Sequence, residues 1–188
     1  LTERGIPVEQ DRQKWNRIFS GRPELAPSAP EFLSRQRDAL NRGSVLDIAC
    51  GDGAAALFLA EAGFEVTAVD IADAGLTRLQ HFARQRGLDI ETNLLDLDQP
   101  AGLAGLALFD NIVISRFKPP AGLWPYLVDQ LAPEGVLALT TFNLAHHRAT
   151  GFAERFCLAP AELEDIHPGL QLTLYESEDQ GDPAMDSY

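Results

Sequence analysis

The residues of this sequence whose types and spacing could do chemistry are two glycines and a set of carboxylates, each standing where a short apolar run ends. Val45-Leu46-Asp47-Ile48-Ala49-Cys50-Gly51-Asp52-Gly53 closes on a turn of small residues and leads into an Ala-rich stretch. Gly51 and Gly53 let the backbone turn sharply and approach a ligand with no Cβ in the way. A helix opening near Ala54 offers free N–H groups to an anionic group. Asp70 ends the next apolar run, about 17 to 20 residues beyond the glycines, where a carboxylate can accept hydrogen bonds from both hydroxyls of a ribose. That placement selects a nucleoside-containing ligand without saying which. A tight turn with no ligand, and Asp70 as the N-cap of the following helix, are the plainer alternatives.

These residues need elements to hold them, and the pattern around them alternates strand and helix. Strands are expected over Ser44–Ala49, Phe64–Val69, Asp89–Leu94, Phe109–Ile114, Gly135–Phe142 and Leu170–Tyr175. A seventh would begin near Ser187 and be lost at the chain end. Helices are expected over Ala54–Ala62 with Gly63 as its stop, Ala72–Arg86 closed by Gly87, Leu123–Leu131 and Pro160–Ile166. Ser28 with Glu31 three positions on resembles a capping box opening a helix through Phe32, Leu33 and Leu40. The order is that of an α/β, Rossmann-like three-layer sandwich with a mostly parallel sheet and helices on both faces. In such a sheet ligands settle at the carboxyl ends of the strands, which is where Asp47 to Gly53, Asp70, Asp96 and Ser115 fall. Ahead of the first strand, Gly21, Pro23, Pro27 and Pro30 prevent a long helix over Trp15–Pro30. Trp15, Ile18 and Phe19 give that stretch an apolar edge to lie over the core or a ligand.

Composition narrows the partners. The 188 residues suit one domain, with residues 1–30 as a lid segment, and 45% hydrophobic content with 23% charged residues is that of a globular enzyme. A formal charge of −13 works against holding nucleic acid. The basic residues of Arg12–Arg22 and of Arg84 and Arg86 are diluted by acids and read as solvated faces. The apolar runs are too short to span a bilayer. Cys50 and Cys157 make no disulfide framework or C-x-x-C pair, and the chain, which begins at Leu1, shows no targeting pattern, so a cytoplasmic location is expected.

Val45 to Gly53 resembles motif I of class I S-adenosylmethionine-dependent methyltransferases. Val66-Thr67-Ala68-Val69-Asp70, Leu95-Asp96-Leu97, Phe109-Asp110-Asn111-Ile112-Val113 and Leu131-Ala132-Pro133-Glu134-Gly135-Val136-Leu137 follow in that family's order. The resemblance implies S-adenosylmethionine as cofactor, with Asp47 and the Ala49, Cys50, Gly51 and Gly53 backbone around its methionine part. Asp70 and Ile71 fall to the ribose, Asp96 and Leu97 to the adenine edge, and Ser115 beside the methionine ammonium. Ala49 replaces the first glycine of the motif, which is tolerable if it keeps a negative φ. Ala54 stands where relatives often carry Arg. Lys14-Trp15-Asn16 with Phe19-Ser20-Gly21, and Phe156-Cys157-Leu158-Ala159-Pro160-Ala161-Glu162-Leu163, are similar to the tellurite-resistance and thiopurine-like group, which implies a small-molecule acceptor and release of S-adenosylhomocysteine.

Displacement at a sulfonium methyl has a good leaving group, so positioning can replace a general base and the catalytic residues stay unassigned. Arg116 and His146 are the candidates, with Phe117, Phe142 and His147 beside them after the fourth and fifth strands. Arg116 could meet an anionic acceptor or pair with an acid. The His146–His147 pair reads as two solvated loop residues, and no metal is assigned. Trp15, Trp124 and Tyr126 read as packing, and Cys50 as a small buried filler. Two rivals remain: a nicotinamide-dependent oxidoreductase, which lacks a full G-x-G-x-x-G and a Tyr-x-x-x-Lys pair here, and a protein that binds S-adenosylmethionine without turnover.

Overall fold

The structure is a computed structural model that describes residues 8–181 and 183–188. The lid segment's first seven residues and Asp182 therefore lie outside the described residues. Thirteen helices and strands follow one another: α1 (Val8–Ser20), α2 (Glu31–Gln36), β1 (Ser44–Ile48), α3 (Ala54–Glu61), β2 (Glu65–Asp70), α4 (Asp73–Arg86), β3 (Ile90–Leu94), β4 (Phe109–Ser115), α5 (Trp124–Asp129), β5 (Leu131–Phe142), α6 (Leu144–Thr150), β6 (Glu176–Glu178) and β7 (Met185–Ser187). The strands form one seven-stranded sheet in the order β3-β2-β1-β4-β5-β7-β6, parallel from β3 to β5, with β7 antiparallel to both its neighbours.

The alternation of side chains along the central strands builds two cores, one on each face. Val45, Val66, Ala68 and Val113 meet Phe32 and Leu33 of α2, Ala55 and Leu59 of α3, and Leu76, Leu79 and Phe82 of α4. Leu46, Ile48, Val69, Ile112 and Ile114 turn the other way, against Leu103, Trp124, Leu127, Leu158 and Leu163. Three layers result, as the sequence predicts.

Several local expectations are corrected. A helix that the sequence does not announce, α1, runs from Val8 and stops at Ser20, while Gly21, Pro23, Pro27 and Pro30 keep 21–30 free of helix as expected. The N-cap of α2 is Pro30 with no side-chain cap, so Ser28 and Glu31 form no capping box. Residues Pro160–Ile166 make turns and not a helix. Ala161 there adopts φ +57°, and the Glu162 carboxylate is taken by Lys118 and the Ala159 N–H. Leu170–Tyr175 is not a strand. Leu170 and Tyr175 pack against the second core instead, and pairing begins at Glu176. The seventh strand is not lost. It starts at Met185 and inserts between β5 and β6. Finally, β5 starts at Leu131, ahead of the expected Gly135, passing through a register shift against β4.

Candidate functional site

Chain order reverses beside β1, whose neighbours are β2 and β4, and the carboxyl ends of these strands bound a crevice. Asp47 is paired in register with Ala68 and Val113, and Ser115 with Thr140, which puts Asp47, the 49–53 loop, Asp70 and Ser115 on one rim. The loop is fixed by Cys50 N–H donating to Val69 O and Gly53 N–H donating to Cys50 O, both at 3.0 Å. Gly51 and Gly53 take φ +57° and +92°, and a Cβ on Gly51 would stand 2.9 Å from Phe19 Cζ, while one on Gly53 would run into Leu79. Both glycines are required by conformation and by packing. Ala49 does not keep a negative φ: it sits at φ +55°, in the left-handed region that its missing glycine would occupy without strain. Cys50 is buried, and burial pushes its thiol well above the usual range, as suits a filler.

The carboxylates are held unequally. Asp47 is 1% exposed, and burial first, then the nearby Asp70, push its carboxyl up to about 8 against an opposing Ala56 N–H bond. Its Oδ2 has no partner among the described residues. A buried carboxyl with an orphaned oxygen needs a proton or a donor, and the ammonium of an amino-acid moiety is such a donor. The residues thus fit the methionine half of S-adenosylmethionine on their own chemistry. Asp70 accepts Gly51 N–H on Oδ2 and Ala72 N–H on Oδ1, each at 2.8 Å, so it also anchors the start of α4. Burial pushes its carboxyl up and those N–H bonds oppose it. Each oxygen keeps a second lone pair for a ribose hydroxyl. Ile71 follows directly, half-buried. Asp96 accepts Asp98 N–H on Oδ1 and Gln99 Nε2 on Oδ2, which leaves each oxygen a second lone pair, and the neighbouring Leu97 is buried.

The sequence reading expects Phe19 to lie over the core or a ligand, but it gives no role to Asn16 and misses the grip on Asp52. Phe19, 5% exposed, lies over Gly51 and Gly75. Asn16 ties α1 to α4, with Oδ1 accepting Ala74 N–H and Nδ2 donating to Asp73. Asp52, inside the loop, is gripped by Arg22 Nη1 at 2.7 Å and Arg78 Nε at 3.2 Å. The partners lie 26 to 58 positions apart, and nothing local announces them. The available signals are the apolar edge of Trp15, Ile18 and Phe19 and the motif similarity over Trp15-Asn16 and Phe19.

On the acceptor side, β4 ends in Ser115 and Arg116. Arg116 has φ +57°, its N–H donates to Thr140 O, and its exposed side chain meets no acid among the described residues. The histidines are not in a loop: both stand half-buried on α6, whose N-cap Asn143 accepts Ala145 and His146 N–H on its side chain. His147 Nδ1 is bound to Phe152 O at 2.6 Å. His146 instead stacks on Phe142, centroids 4.5 Å apart. Phe117 packs against the second core, and Trp124 is buried. No group of three or more His, Cys, Asp or Glu able to hold a metal occurs among the described residues.

Strand order, glycine loop and acidic rim together are those of the Rossmann-like α/β fold that class I S-adenosylmethionine-dependent methyltransferases share. The chain belongs to the tellurite resistance protein TehB family, whose model matches residues 14–110. The crystal structure of TehB from Haemophilus influenzae superposes with a TM-score of 0.68 at 16% identity, covering 92% of this chain and 65% of that one. A ubiquinone biosynthesis O-methyltransferase of Actinobacillus pleuropneumoniae is 27% identical over 126 residues, 63% of this chain and 54% of its own. A 2-heptyl-1-hydroxyquinolin-4(1H)-one methyltransferase of Mycobacteroides abscessus is 32% identical over 77 residues, 40% of this chain and 34% of its own. The chain spans about half the length of the curated relatives it matches first.

Proposed function

We propose that residues 1–188 work as one methyltransferase domain that moves a methyl group from S-adenosylmethionine to a small-molecule acceptor, with residues 1–30 as its lid. The observation that carries this is the buried Oδ2 of Asp47, without a partner among the described residues, at the rim of the glycine loop and beside Asp70. When bound, S-adenosylmethionine would supply an electrophilic methyl to the electron pair of the acceptor heteroatom, with the neutral thioether of S-adenosylhomocysteine as leaving group and the acceptor's proton lost to water. Asp47 holds the amino group. Asp70, with Ile71 beside it, receives the ribose, Asp96 and the Leu97 backbone take the adenine edge, and Ser115 faces the methionine end. Gly51 and the Ala49–Gly53 backbone let the ligand lie close. No cation stands at Ala54, so the methionine carboxylate relies on N–H groups at the start of α3, an eight-residue helix, or on a cation from the lid.

The methyltransferase names of the two relatives above support an acceptor of small-molecule size. A cytoplasmic location is the reading kept from two unpaired cysteines. No helix among the described residues is long and apolar enough to cross a membrane. Calorimetric titration tests the cofactor: S-adenosylhomocysteine binds the wild type, NADH does not, and Asp70→Ala binds more weakly by roughly tenfold or more. Heat with NADH alone would make the protein an oxidoreductase, and no heat with either would end the proposal.

A further inference from the structure

Beyond the cofactor crevice, α6 and the chain that follows it are folded into a tight hairpin that gathers rings. Gly151 at φ +72° caps α6 and turns the chain back, and the His147 bond to Phe152 O fixes the return. Phe142, His146 and Phe152 then meet as a triangle, with centroids 4.5, 5.0 and 5.5 Å apart, and Phe156 joins Phe152 at 6.1 Å. This cluster is not core. Phe152 is 38% exposed, and Phe142 and His146 are half-buried. Grouped rings left partly open to water mark a surface that receives something flat and apolar.

The hairpin starts at the carboxyl end of β5, next to the end of β4. Arg116 N–H donates to Thr140 O at 2.8 Å, and Phe142 is two residues beyond Thr140 on the same strand, about 7 Å on. In a chain carrying 28 acids, this guanidinium meets none of them among the described residues. Its backbone holds a left-handed conformation that no glycine relieves. An exposed arginine without an acid partner among the described residues, its backbone anchored one strand over from Phe142, matches a ring bearing a carboxylate or similar oxyanion.

We infer that the methyl acceptor is an aromatic anion, its ring laid against Phe142, His146 and Phe152 and its charged group held by Arg116. This rests on the methyltransferase reading above. The test uses protein saturated with S-adenosylhomocysteine, titrated in turn with 4-hydroxybenzoate, 1-hydroxy-2-naphthoate, phenol and cyclohexanecarboxylate. At least one of the two aryl carboxylates binds roughly tenfold tighter than either phenol or cyclohexanecarboxylate. Arg116→Gln removes the advantage over phenol, Arg116→Lys restores part of it, and Phe152→Leu removes the advantage over cyclohexanecarboxylate. Unfolding temperatures of the variants identify any that fail to fold, and Arg116→Lys then stands in for Arg116→Gln. Equal affinities for all four compounds, no binding of either aryl carboxylate, or indifference to Arg116 would overturn the inference. Binding of S-adenosylhomocysteine without that preference overturns only the acceptor class, whereas failure to bind it overturns the methyltransferase reading.

Discussion

Asp47 sets a conflict between stability and binding on a single side chain. Its carboxyl titrates at about 8 in the folded chain because burial disfavours the charge, against about 4 when unfolded. Between those values the folded form keeps a proton that the unfolded chain has lost, so this group favours folding below about 4. That contribution is lost as pH rises through about 8. Asp47→Asn has no proton to lose. It therefore gains on the wild type by about 1.4 kcal/mol for each pH unit climbed, a few kcal/mol at the alkaline end of the window and nothing at the acid end. Urea unfolding of both proteins across the window measures this, and stability curves that stay parallel would refute it. The same change removes the counter-charge offered to an ammonium, so weaker binding of S-adenosylhomocysteine accompanies the gain.

Between elements, Asp52 joins the glycine loop to α1 and α4. Its side chain is 6% exposed, Arg78 is 16% exposed and Arg22 41%. Arg78 also donates to Pro23 O and lies over the Phe82 ring, whereas Arg22 lies over Phe19 at the surface. Arg78→Ala is expected to cost about 1–3 kcal/mol and to raise amide exchange through α1, because it strips a buried carboxylate of its drier partner. Arg22→Ala costs less than about 1 kcal/mol, since solvent screens that pair. Equal losses in urea unfolding would contradict the ranking. What could be read from sequence follows from the same distinction of scale. The strands β1, β2 and β4 and the stops at Gly63 and Gly87 are written in local periodicity and turn residues. The left-handed Ala49, the grip of Arg22 and Arg78 on Asp52, and the seat of Phe19 on Gly51 depend on partners brought together only by the fold. Strand β6 is displaced from its expected place, and β7 is kept where its loss is expected, for the same reason: each has three mostly polar residues, and only their pairing makes them strands.

Across the molecule, the last strand and the acceptor hairpin share one polar knot. Strand β7 is stitched to β5 by reciprocal bonds between Leu139 and Tyr188, at 2.9 and 2.8 Å. The Asp186 carboxylate, 1% exposed, accepts from Asn143 Nδ2, Ser177 Oγ and Tyr175 Oη. Asn143 gives its other end, Oδ1, to the first N–H groups of α6. The amide that caps the helix carrying His146 is thus oriented by a residue 43 positions later in the chain. Asp186→Ala leaves Ser177 and Tyr175 without their acceptor and Asn143 Nδ2 with Asp179 Oδ1 alone, for an expected loss of about 1–3 kcal/mol. It also loosens the hold that keeps Asn143 turned to its cap. Amide exchange over 144–150 should therefore rise by more than exchange in β1 and β2, where the sheet is dry and far from the knot. A loss of stability with unchanged relative protection of 144–150 would show that the knot holds β7 alone and leaves the His146 helix to its own hydrogen bonds.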